Sequence, residues 1–159
     1  GALEGVDSAL RREGSSLREL RLDEIGGLTD GRRELRELLA GTLETRELTG
    51  EALEVLGAER FDPRELGRLL NEHQAILGRR LKVSTEKIDR MLRAAMEAGA
   101  LGGKLNGSGG GGCMFAYAPE DPERVARAIE EVGGRAYVIH QDQGVHMLAA
   151  SGVRRDGAV

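Results

Sequence analysis

From Gly31 to Leu56 the positions Leu35, Leu38, Leu39, Leu43, Leu53 and Leu56 fall mostly on one stripe at helical spacing, with Glu and Arg between them. That period predicts an amphipathic helix whose apolar side faces a core, with Gly50 as the point where it would break. Asp62 followed by Pro63 is an N-cap before a first-turn proline, and Leu66, Leu69, Leu70, His73 and Leu77 carry one face of a second helix down to Leu81. Ser84 is the expected cap of a third helix, with Ile88, Met91, Leu92 and Ala95 as its core face and Gly99 as its stop. Asp121 opens a fourth, whose apolar positions are Val125, Ala128, Ile129 and Val132 before Gly133 and Gly134.

Elsewhere the pattern is not helical. Short apolar stretches on both sides of 107–112, with "CMFAYA" at 113–118, read as strands around a glycine turn. "RAYVIH" at 135–140 and "GVHML" at 144–148 read as two more, joined by the polar turn "QDQ". Residues 3–12 read as a helix end, 15–27 as an irregular connection with one helical turn, and 149–159 as a loose tail. The expected fold class is α+β, with helices packed on one face of a small, mainly antiparallel sheet.

Composition narrows the function. The 159 residues suffice for one domain with a core, and aromatics make up only 3%, so that core is aliphatic. Net charge is -4 and the arginines alternate with glutamates along helices, which leaves no basic face and argues against nucleic acid as a partner. One cysteine and three scattered histidines give neither a disulfide nor a zinc spacing. No apolar run spans a membrane and no secretory signal opens the chain, so no membrane partner and a cytoplasmic location are expected.

The candidate chemistry sits in "GGKLNGSGGGGC", where five glycines and Ser108 separate Asn106 from Cys113. Glycine costs backbone entropy, so a run of it implies either a flexible linker or backbone that must approach a partner without side chains, typically a phosphate. Flanking strands favour an ordered turn. The run fails as a Walker A loop, because Leu105 follows Lys104 where Ser or Thr is needed. Gly107, Gly109 and Gly112 satisfy G-x-G-x-x-G, but a strand follows where a dinucleotide fingerprint needs a helix.

"GALGGKLNGSGGGGCMFAY" instead resembles the third motif of the GHMP superfamily, the small-molecule kinases that group galactokinase, homoserine kinase, mevalonate kinase and phosphomevalonate kinase. "LGRLLNEHQAILGRRLKVSTEKIDRML" resembles the helix pair that precedes that motif, and the two occur in the right order, so the resemblance spans roughly residues 64–148. Asn106 stands where the family usually has threonine. The resemblance implies a ferredoxin-like GHMP kinase C-terminal domain at 31–148, preceded at 1–30 by a connecting segment from an amino-terminal lobe. It implies that Gly107, Ser108, Gly109, Gly110, Gly111 and Gly112 lie against the nucleotide, that Asn106 meets the substrate, and that ATP and Mg2+ are the cofactors, held mainly by that lobe.

That lobe would carry the phosphate-binding helix, the magnesium ligands and the catalytic aspartate, none of which is present here, so this chain alone is expected to be inactive. The partners implied are the lobe and a sugar or mevalonate-like acceptor. "SLRELRLDEI" at 16–25 resembles a segment that galactokinases carry between lobes, which places galactose first and mevalonate second. A free-standing ligand-binding or regulatory module is the reading from another class. Among single residues, His73 is expected as a satisfied core histidine and Cys113 as a small packed residue. Lys104 is either a phosphate contact or a solvent-side strand lysine, and the twin arginines beginning at 11, 32, 79 and 154 are read as solvated faces. The surface facing the lobe is expected to be apolar and to include Met91 or its helix neighbours with the glycine turn.

Overall fold

The computed structural model describes residues 7, 10, 11, 16–29 and 31–140. The expected strand at 144–148, its preceding turn, the tail at 149–159 and most of the helix end at 3–12 lie outside the described residues. Helices α1 (Ile25–Thr29), α2 (Arg33–Gly57), α3 (Pro63–Arg79) and α4 (Glu86–Glu97) lead into strands β1 (Gly102–Asn106) and β2 (Cys113–Tyr117), followed by helix α5 (Pro122–Glu131). The class is α+β, as expected.

Helix α2 runs through Gly50 without a break. A Cβ at Gly50 would meet nothing, so the glycine lies on the solvent side, and its propensity cost of about 1 kcal/mol is carried by the helix around it. Only the first half of the predicted stripe is core. Leu35, Leu39 and Leu43 are buried with Leu10, Leu20 and Ile25, whereas Leu53 and Leu56 stay 66% and 58% exposed, on a side of the second half that α3 does not cover. The 16–20 segment is fastened to α2 by Arg46, whose Nη1 donates to Leu17 O and Arg18 O and whose Nη2 donates to Leu20 O at 3.0 Å. Arg80, read as a solvated arginine, instead pairs with Glu37 and Glu44 at 2.8 Å each and ties α3 to α2.

Asp62 caps α3 as expected, its carboxylate accepting from the amides of Arg64 and Glu65. The cap of α4 is Thr85 rather than Ser84: Thr85 Oγ1 accepts from Ile88 N–H, while Ser84 Oγ turns to Asp89. A second core gathers Ile88, Met91, Leu92 and Ala95 of α4, Leu105 of β1, and Val125 and Ile129 of α5. Met91 is only 7% exposed, so it cannot belong to an outward-facing surface, because the same stripe that predicted the helix commits it to this core. Among the described residues the exposed large apolar side chains are Leu53, Leu56, Phe61, Phe115, Tyr137, Val138 and Ile139.

Strands β1 and β2 pair antiparallel, with Lys104 opposite Phe115 and Asn106 opposite Cys113. Alternation turns Leu105, Met114 and Ala116 into the α4–α5 core. Residues 135–140 form no strand: the sheet has the order β1-β2, and no described residue offers that segment a ladder of hydrogen bonds. Its intended neighbour, 144–148, lies outside the described residues.

Candidate functional site

The glycine turn is the hairpin between β1 and β2, and its backbone explains its composition. Gly107 has φ +96°, and Gly109, Gly110, Gly111 and Gly112 have φ of +89°, +77°, +135° and +90° in succession. Side chains with a Cβ are disfavoured in that left-handed region, so four consecutive positions there require glycine on conformational grounds alone. The turn is also anchored. Gly110 N–H donates to Val83 O at 2.8 Å, and a Cβ at Gly109 would meet Val83 Cβ at 2.5 Å. A Cβ on Gly110, Gly111 or Gly112 would meet nothing within 4 Å, and the amides of Gly111 and Gly112 have no protein acceptor among the described residues. The result is a docked loop with an open, side-chain-free backbone.

The structure thus brings Asn106 and residues 107–112 together at one end of the hairpin, at the surface. Asn106 is exposed and shares the sheet face that also carries Lys104, Cys113 and Phe115. Cys113 is exposed rather than packed, since strand alternation sends it to the face that α4 and α5 leave open. Lys104 Nζ lies 5.5 Å from the Phe115 ring centre and donates to Leu105 O at 2.7 Å. Burial lowers the Lys104 pKa below its usual range. His73, half-buried on α3, is also held below its usual pKa, by burial first and by the Lys104 charge second.

Sequence reasoning missed what holds β1. Helix α3 runs along the strand's free edge and supplies side-chain amides where a third strand would supply backbone. Asn71 Nδ2 donates to Leu101 O and Asn71 Oδ1 accepts from Gly103 N–H, both at 3.1 Å. Gln74 Oε1 accepts from Leu105 N–H at 2.8 Å. The approach is close because Gly67 and Gly102 face each other: a Cβ at Gly67 would stand 2.5 Å from Leu101 O, and one at Gly102 would overlap Gly67 O. The available signal was Asn and Gln three residues apart on a helix, the spacing that places both on one face.

Among the described residues no three His, Cys, Asp or Glu side chains converge as a group that could hold a metal ion. The open amides of the loop do suit a phosphate oxygen, which needs donors and tolerates no intervening side chain. A separate cleft of about 610 Å³, lined by Arg33, Glu34, Glu37, Arg79, Arg80 and Lys82, includes no loop residue. No described helix is long and apolar enough to cross a membrane.

A family model described as GHMP kinases C terminal matches residues 51–135, a span that contains α3, α4, the whole hairpin and α5. The chain belongs to this family. Its sequence is 45% identical over 84 residues to a mevalonate kinase of Thermococcus onnurineus, covering 52% of this chain and 25% of that protein. It is 42% identical over 106 residues to a mevalonate kinase of Pyrococcus abyssi, covering 64% of this chain and 31% of that one. The fold is similar to the crystal structure of Lactococcus lactis galactokinase complexed with galactose, with a TM-score of 0.65 and 27% identity over 82% of this chain and 37% of that one. This chain of the GHMP kinase C-terminal family therefore spans about a quarter to a third of the length of the curated relatives it matches.

Proposed function

We propose that the chain is the carboxyl-terminal portion of an ATP-dependent GHMP kinase that transfers the γ-phosphoryl group to a hydroxyl of a small acceptor. The observation that carries this reading is the docked hairpin loop, whose four left-handed glycines carry no side chain and whose Gly111 and Gly112 amides have no protein acceptor among the described residues. In the reaction the acceptor oxygen bonds to the γ-phosphorus, the bond to the β,γ-bridging oxygen breaks, and ADP leaves. Charge spread over the transferring group is stabilised by fixed donors. Residues 107–112 supply such donors, and Asn106, an amide able both to donate and to accept, faces the acceptor. Magnesium ligands and the base that takes the hydroxyl proton come from an amino-terminal lobe, and the complete enzyme works in the cytoplasm.

Mevalonate is the first acceptor and galactose the second. Residues 16–25 favour galactose, but that stretch is short, whereas identities of 45% and 42% to mevalonate kinases extend over more than half of the chain. The galactokinase fold match keeps galactose as the specific alternative. Co-expression with the amino-terminal half of a GHMP kinase, assayed with mevalonate, galactose and homoserine in turn, tests the reading. Turnover greatest with mevalonate, and none by the chain alone, is expected. Turnover with galactose alone changes the acceptor and keeps the kinase, while a folded complex inactive on all three overturns it.

A further inference from the structure

Both anchors of the glycine loop meet at one side chain. The first anchor is β1, whose Leu105 N–H, one residue before Asn106, donates to Gln74 Oε1 at 2.8 Å. The second is the turn between α3 and α4, where Val83 O holds Gly110 N–H and the Val83 side chain abuts Gly109. The next residue of that turn, Ser84, accepts from Gln74 Nε2 at 3.0 Å and donates to Asp89 Oδ1 at 2.6 Å, and Gln74 Nε2 also reaches Asp89 Oδ1 at 3.3 Å. The amide group therefore uses its acceptor on the strand that enters the loop and its donors on the turn that supports the loop's middle. Val83 itself is held from the other side by its N–H to Leu77 O at 2.9 Å. Nothing else described spans the two anchors with one group.

We propose that Gln74 is a positioning residue for the glycine loop, fixing the distance between β1 and the Val83–Ser84 turn and so the placement of the Gly110–Gly112 backbone. It touches neither nucleotide nor acceptor, and its consequence for turnover rests on the kinase reading above. Only a group with an acceptor on one side and donors on the other satisfies Leu105 N–H, Ser84 and Asp89 together. Gln74→Met keeps length and removes both functions. Gln74→Glu keeps the acceptor for Leu105 but sets a second carboxylate beside Asp89. Gln74→Glu with Asp89→Asn reverses the polarity of the pair and restores a donor, now from position 89.

The test is amide hydrogen exchange on the chain, read by NMR for each variant. With Gln74→Met, exchange at Gly110 rises about tenfold, the loss of one hydrogen bond's protection, while Ala95 and Ile129 in the core stay within about twofold. Gln74→Glu gives the same loss at Gly110, and the double variant recovers it. Faster exchange at Leu105 alone, with Gly110 unchanged, is the signature of a local bond and overturns the proposal. So do equal acceleration at core and loop and failure of the double variant to recover. In the assembled kinase, kcat falls with Gln74→Met and returns in the double variant. If wild type also fails to turn over, the kinase reading is what fails, and the exchange data decide the positioning role on their own.

Discussion

Two sets of glycines lie on either side of Asn106, and they are glycine for opposite reasons. Gly67 on α3 and Gly102 on β1 are both buried, and a Cβ is excluded at Gly67 by Leu101 and at Gly102 by the Gly67 backbone. Gly110, Gly111 and Gly112 have open space around them and exclude a Cβ through their φ alone. The first set is a packing requirement whose effect is stability. The second is required by backbone conformation, and in the proposed kinase that side-chain-free backbone serves what approaches from outside. The same residue type thus marks a close-packed seam in one place and an exposed backbone surface in the other.

The comparison can be broken at several points. Gly67→Ala has the largest expected effect: it gains helix propensity of about 1 kcal/mol but forces a methyl against Leu101, whose backbone is pinned by Asn71 and Tyr117. Overpacking against a fixed backbone outweighs that gain, with a net loss of about 2 kcal/mol and a fall in melting temperature of roughly 6–8 °C. A melting temperature equal to wild type would remove the seam from the account. Next is Lys82→Gly, at the non-glycine residue with positive φ among the described residues, +54°, beside the loop's anchor. Relief of left-handed strain exceeds the entropy glycine adds to the unfolded chain, so stability rises by about 0.5 kcal/mol in a denaturant titration.

The smallest effect is on pH dependence. The folded-state pKa of His73 is depressed by burial and by Lys104, so the unfolded chain binds the proton more readily. Stability from this group is complete above the usual histidine value of 6.5 and declines as pH falls below it toward the lowered folded value. His73→Gln should flatten the melting temperature between about pH 7 and 5 relative to wild type. An unchanged slope would show that the site titrates no differently when folded.

How much of this was legible in the sequence depended on whether the signal was local. The caps at Asp62 and Asp121, the core face of α4 and the strands flanking the loop follow from spacing within one element, and each is where the pattern put it. The loop could be read as ordered because its flanks were strand-like. Leu53 and Leu56 failed because periodicity reports which side of a helix is apolar and not whether another element arrives to cover it. Cys113 failed because its exposure is set by which sheet face α4 and α5 occupy, and a strand's own pattern does not name that face. The Gly67–Gly102 contact and the bridging by Asn71 and Gln74 connect residues about 30 positions apart, which no window along the chain reveals.

The central claim is that the open glycines serve the approach of a phosphate and not the fold. Gly110→Val tests it most directly, because a β-branched side chain at φ +77° must move the loop backbone yet meets no packed neighbour. Melting temperature and kcat are measured side by side for Gly110→Val and Gly67→Ala in the chain assembled with an amino-terminal kinase half. The account predicts that Gly110→Val loses turnover at least about tenfold while its left-handed strain lowers the melting temperature by less than Gly67→Ala does. Parallel losses of turnover and melting temperature in Gly110→Val would contradict it.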